Sequence, residues 1–108
     1  MSDHETTLDE LRRAVSEFVD ARDWRQFHTP KNLAASIAIE AAELLEQFQW
    51  TDDLSPERKL PVTEELADVV IYCLALTNVL DIELSEAIRH KLQRNQVRYP
   101  VQEYRGRY

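Results

Sequence analysis

The sequence is short of turn-formers: it has one glycine and four prolines in 108 residues. That scarcity argues against a sheet protein threaded through many hairpins. A single cysteine, Cys73, excludes an internal disulfide and points to a reducing compartment. It lies in an apolar run, where packing is the expected role for a thiol. No apolar segment precedes Asp9 and no apolar run is long enough to span a bilayer, so the chain reads as cytoplasmic, without a membrane partner. Positive charge is in deficit. Thirteen Lys and Arg against twenty Asp and Glu give a net charge of −7, which repels phosphate backbones and argues against a nucleic-acid polymer as partner. A small anionic substrate would need a metal ion or a local basic cluster. There is no internal repeat and no low-complexity segment. What is present, 44% hydrophobic residues in a chain of this length, implies one packed domain over residues 1–108.

The stretch Thr29 to Trp50, TPKNLAASIAIEAAELLEQFQW, reads as one long helix with Thr29 as its cap and Pro30 in its first turn. Leu33, Ile37, Ala41, Leu44 and Phe48 recur at helical steps and form an apolar stripe. Before it, Thr7 and Glu10 form a capping-box signal for a helix to about Ala21, with Leu8, Leu11, Val15 and Phe18 on one face. The connection RDWRQFH, residues 22–28, holds Trp24, Phe27 and His28. After Trp50 comes a turn-rich link, then a short helical turn from Ser55 to Leu60 that Pro61 should bend or restart. A third helix, Thr63 to Leu80, is apolar almost all round and is expected at the centre. A fourth runs from about Leu84 to Arg98, with Leu84, Ala87, Ile88, Leu92 and Asn95 facing inward. The tail from Val101 to Tyr108 has no periodicity. The expected fold is an all-α four-helix bundle.

Two anomalies interrupt this pattern. At about 100° per residue, Glu40 and Glu43 fall about 60° and 120° from the middle of the second helix's apolar stripe, on its shoulder. Glu65, Asp68 and Tyr72 share one face of the third helix, among Leu66, Val69, Val70 and Ile71. Buried carboxylates are costly unless something neutralises them. An E-x-x-E, about twenty residues, then an E-x-x-D on antiparallel helices would bring four acids face to face. A hard divalent cation relieves their repulsion, and an all-oxygen set favours Mg²⁺ or Mn²⁺ over Zn²⁺. No histidine stands at ligand spacing with them, which weakens a zinc or di-iron reading.

These carboxylates, together with RDWRQFHTPKNL, EAAELLEQFQW, EELADVVIYCLAL and KLQRNQVRYP, resemble the MazG-type all-α nucleoside triphosphate pyrophosphohydrolases, in their dCTP pyrophosphatase branch. The resemblance implies a Mg²⁺-dependent hydrolase of a pyrimidine deoxynucleoside triphosphate, acting in nucleotide-pool control and assembled as a homodimer or homotetramer. By this resemblance Glu40, Glu43, Glu65 and Asp68 match the metal ligands. Trp24, Trp50 and Tyr72 match positions that enclose base and sugar, and His28 and Asn32 match the polar edge of that pocket. Lys31, Lys91, Asn95 and Arg98 match groups near the triphosphate. The chain departs from the family in having Ile39 and Ala42 where glycine is common, and Val15 where some dCTP-specific members carry histidine. The expected chemistry is in-line attack of a water, held at the carboxylates, on the α-phosphorus with pyrophosphate leaving. Any of the four carboxylates could be the general base, and Glu43 is our choice. The rival expectation is a non-catalytic acidic interaction module whose carboxylates pair with Lys or Arg of a partner.

Overall fold

Thr7 begins the first helix as its sequence implies: its Oγ1 accepts the Glu10 N–H at 3.1 Å. This opens α1 (Leu8–Ala21) in a computed structural model that describes residues 1–107. A short 3₁₀ turn at Arg25–Phe27 follows, and then α2 (Pro30–Glu46), where Thr29 Oγ1 accepts the Asn32 N–H at 3.1 Å and Pro30 opens the first turn. Next come α3 (Pro56–Leu80), α4 (Leu84–Arg98) and a single turn, α5 (Val101–Tyr104), in the tail that has no sequence periodicity. The fold is all-α with four principal helices, as expected. No described helix is long and apolar enough to cross a membrane.

Two boundaries differ from the sequence reading. The second helix ends at Glu46, short of Trp50, because the chain tightens: Gln47, Phe48 and Gln49 N–H groups bond carbonyls only three residues back. The third begins at Pro56 and runs straight through Pro61. That proline removes one hydrogen-bond donor, early in a helix of 25 residues that packs along α2. Asp81 closes α3 in the left-handed region, φ 53°, which Asp tolerates better than most residues.

The central helix is α3, with α2 along one side and α1 against another. Leu33 of α2, Val19 of α1 and Leu74, Ala75 and Thr77 of α3 form the small buried core. A reciprocal clamp fixes α1 to α3. Arg12 Nε donates to Asn78 Oδ1 at 3.2 Å, and Asn78 Nδ2 donates back to the Arg12 carbonyl at 3.0 Å. The fourth helix has its expected bounds, but its expected inward face is in solvent. Ile88 and Leu92 are 47% and 58% exposed, and Ala87 is exposed too. Only Leu84 and Asn95 of that face are half-buried. The reason is that α1, α2 and α3 form the packed body, and α4 makes no extensive pairing with any of them.

Candidate active site

The carboxylates meet where α2 and α3 run side by side. One oxygen each from Glu40, Glu43 and Glu65 lie within 4.8 Å of one another. Asp68, half-buried one turn along α3 from Glu65, stands outside that tight trio, yet its charge reaches both Glu40 and Glu65. Oε2 of Glu40 and Oε2 of Glu65 are buried and have no hydrogen-bond partner. Ionised carboxylates only accept, so neighbouring acids cannot satisfy each other. A proton on Glu40 would let it bond Glu43. That bond is the largest reason its carboxyl is pushed up from 4.5 to about 7, followed by burial and the charges of Glu43, Asp68 and Glu65. Glu65 is also raised, first by burial and then by the charge of Glu43. Among the described residues the ion pairs are Arg13 with Asp9 and Arg25 with Asp20, so no Lys or Arg of the chain neutralises the cluster. Buried oxygens without donors, converging from an all-oxygen set, suit a hard divalent cation.

Two cavities are lined by residues one helical turn from the cluster, Tyr72 beyond Asp68 and Ser36 before Glu40, although none of the four acids lines either. The larger, about 450 Å³, opens between α1 and α3 and is walled by Val15, Phe18, Trp24, His28, Ile71 and Tyr72 among others. The smaller, about 240 Å³, is bounded by Trp24, Phe27, His28, Asn32, Leu33, Ser36 and Tyr72. Trp24, His28 and Tyr72 border both. Tyr72 is placed by α3, and Trp24 and His28 by local bonds in and around the 22–28 connection. Arg25 ties the 3₁₀ turn to α1 through Asp20 Oδ1 at 2.9 Å and Ser16 Oγ at 3.1 Å. Asn32 Nδ2 donates to the Phe27 carbonyl at 3.0 Å. Trp24 stands edge-on to Phe18, ring centres 5.8 Å apart, and the Arg22 guanidinium lies 3.6 Å over the Phe18 ring. The connection is thus a braced wall for the cavity.

The chain alone therefore gathers Glu40, Glu43 and Glu65, with Asp68 near, and separately sets Trp24, His28, Asn32 and Tyr72 around the smaller cavity. It does not bring Trp50 there. Trp50 follows the shortened α2, is 88% exposed, and borders neither cavity. Lys31, on the first turn of α2, and Lys91, Asn95 and Arg98, on α4, also lie outside both walls. Val15 does face the larger cavity, so the departure at that position changes its wall. Ile39 and Ala42, which stand where glycine is common in the family, are exposed within one chain, Ile39 by 57%. Sequence reasoning missed Phe18, Ile71 and Ser36 as wall residues. For the first two, periodicity reports that a face avoids water but not whether protein or a cavity covers it.

Residues 35–107 match the MazG-like family. The chain is similar to dCTP pyrophosphatase 1 of Mus musculus, 40% identical over 109 residues that cover 94% of this chain and 64% of that protein. Its similarity to dCTP pyrophosphatase 1 of Homo sapiens is 41% over 104 residues, covering 90% of this chain and 61% of that protein. The chain thus spans less than two thirds of the length of these curated relatives. A crystal structure of a pyrophosphatase from Archaeoglobus fulgidus matches the fold with a TM-score of 0.80 at 46% identity, covering 93% of this chain and 98% of that one.

Proposed function

The chain belongs to the MazG-like family, and from that premise we propose that it hydrolyses a nucleoside triphosphate to the monophosphate and pyrophosphate, with dCTP or another pyrimidine deoxynucleotide preferred. The observation that carries this reading is the pair of buried, unpartnered oxygens of Glu40 and Glu65, on the same two helices that supply Ser36 and Tyr72 to an aromatic-walled cavity. The names of the mouse, human and archaeal relatives support the same reading.

Glu40, Glu43, Glu65 and Asp68 would hold Mg²⁺, or Mn²⁺ in its place, which would offset charge on both carboxylates and phosphate oxygens. Glu43, the exposed member of the trio, takes the proton of the water that attacks the α-phosphorus in line. Trp24 and Tyr72 enclose the base and sugar, and His28 and Asn32 supply polar groups there. Stacking tolerates any base, so discrimination rests on cavity size and buried polar contacts. With Val15 in the wall instead of histidine, the preference for cytosine is graded, not strict. Lys31, Lys91, Asn95 and Arg98 steady the triphosphate.

Trp50 and α4 join this site through a second copy, and we place the protein as a homodimer or homotetramer. Three observations support that assembly. The accessible surface is 8989 Å², whereas a compact monomer of 12.7 kDa would expose about 6,200 Å². Leu66, Val70 and Ile71 of α3 are 51%, 43% and 43% exposed. Charge is also divided along the chain. Residues 84–108 hold six Lys and Arg against two acids, while residues 1–83 hold the other seven against eighteen. A basic arm and an acidic body on each copy are complementary between copies.

The test is product analysis on the purified protein with Mg²⁺ and a panel of nucleoside triphosphates. Monophosphate and pyrophosphate are expected. Nucleoside diphosphate and orthophosphate would overturn the choice of bond. No turnover, together with no thermal response to Mg²⁺, would favour the non-catalytic interaction module.

A further inference from the structure

We propose that Ser36 determines sugar specificity by hydrogen bonding a hydroxyl of the substrate's ribose or deoxyribose ring; this rests on the nucleotide reading above. Ser36 lies on α2 one turn before Glu40, and Tyr72 lies on α3 one turn beyond Asp68. Four residues at 1.5 Å each place them about 6 Å along their helices from the carboxylates. Both line the smaller cavity, whose Trp24, His28 and Tyr72 also border the larger, apolar one. A nucleotide with its phosphates at the carboxylates and its base in the apolar cavity must pass its sugar between these two places. The smaller cavity is the space available there.

The hydroxyl of Ser36 is free for that contact. A helical Ser or Thr commonly turns its hydroxyl back to a carbonyl of the preceding turn. Thr63 does so to the Lys59 carbonyl, and Thr77 to the Leu74 carbonyl, each at 2.7 Å. Ser36 makes no such bond and has no other hydrogen bond among the described residues, although it is half-buried. The neighbouring Asn32 differs, because its Nδ2 already holds the Phe27 carbonyl. A hydroxyl without a protein partner, on a half-buried serine that lines a cavity one turn from Glu40, is suited to a sugar hydroxyl, which both donates and accepts.

The experiment compares wild type with Ser36→Ala on three substrates: CTP, dCTP and 2′,3′-dideoxy-CTP. Alanine is the strongest helix former, so the variant should keep its fold and melting temperature. A neutral hydrogen bond corresponds to about a two- to tenfold change in affinity. We expect Ser36→Ala to raise KM by that factor with kcat nearly unchanged, since the contact is the same in ground and transition states. The loss should vanish on the substrate that lacks the contacted hydroxyl. Loss beginning at dCTP and absent from the dideoxy compound assigns the 3′ group; loss confined to CTP assigns the 2′ group. An equal loss on all three, or none on any, overturns the proposal. If no triphosphate is turned over, the function reading fails by itself. Calorimetric affinities of CMP, dCMP and 2′,3′-dideoxy-CMP for the two proteins then decide the role of Ser36 by the same comparison.

Discussion

Binding of a divalent cation should expel protons from this site, in an amount set by Glu40. Its carboxyl is pushed from 4.5 to about 7 because a proton there bonds Glu43, because it is buried, and because Glu43, Asp68 and Glu65 surround it with negative charge. At pH 6 about nine-tenths of metal-free molecules would carry that proton, at pH 7 about half, and at pH 8 about one-tenth. A cation requires the ionised carboxylate, so binding releases about those numbers of protons per site, with Glu65 adding in the same direction. Competition of this kind raises the apparent affinity about tenfold from pH 6 to pH 8, with most of the change below pH 7. The stability of the metal-free protein should run the opposite way. A carboxyl whose folded value lies above its unfolded value of 4.5 contributes stability that is fully present below 4.5 and is lost as pH rises through about 7. The melting temperature without metal should therefore fall between pH 5 and pH 8, and Mg²⁺ should restore it most at the upper end. Titration calorimetry with Mg²⁺ or Mn²⁺ in two buffers of different ionisation enthalpy measures the proton count directly. Glu40→Gln should abolish most of the release. An affinity that stays flat from pH 6 to pH 8, with no buffer dependence, would refute the reasoning.

Four further outcomes are expected. Asp68→Asn should abolish turnover and leave the far-ultraviolet spectrum unchanged, since the half-buried acid is a proposed ligand and not a packing element; most of the activity remaining would remove it from the ligand set. Leu33→Ala should destabilise the fold by about 2–5 kcal/mol in chemical denaturation, because Leu33 is only 1% exposed at the centre of a small core; a cost below about 1 kcal/mol would show that the core collapses around the gap. Sedimentation at micromolar concentration should give a multiple of 12.7 kDa, and Leu66→Glu should lower it; a monomeric wild type would sink the assembly. Trp50→Ala should raise KM for dCTP by about five- to a hundredfold, the value of stacking on one base; an unchanged KM would remove Trp50 from the base pocket.

The helix starts are legible in the sequence because each rests on a local bond between near neighbours: Thr7 with Glu10 and Thr29 with Asn32. The carboxylate cluster is legible for a different reason. Charge on a nearly all-apolar helix is expensive, so Glu65 and Asp68 require a neutralising partner wherever that helix packs. Pro61 misleads because its penalty is local, one donor lost near the start of α3, whereas α3 as a whole packs along α2. The wall residues are hidden because Leu11, Val15 and Phe18 have the periodicity of a core face whether protein or a cavity lies opposite. Helical spacing sets Ser36 on the same shoulder of α2 as Glu40 and Glu43, but does not mark it as a wall residue. An isolated serine in a helix signals nothing until α3 sets Tyr72 across from it.

The remaining mismatches share one physical cause. The sequence pattern puts the apolar residues of α4 inside and α3 under cover, and the resemblance puts Trp50 at the site. Each expectation requires something to cover an apolar group, and hydrophobicity does not specify which chain does the covering. In the single chain the radius of gyration is 16.7 Å, against about 13 Å for a compact domain of this length. The surplus surface, the uncovered Leu66, Val70 and Ile71, and the outward Ile88 and Leu92 thus describe the same shortfall of cover. A second copy would supply apolar cover, a basic α4 for an acidic body, and an indole for the cavity in one step. Assembly and substrate binding should accordingly be linked. Leu66→Glu, at an exposed position that lines neither cavity, should lose affinity for dCTP as it loses mass, while Asp68→Asn should lose turnover with its mass intact. A monomeric Leu66→Glu variant with the wild-type KM would separate the two and leave the site complete within one chain.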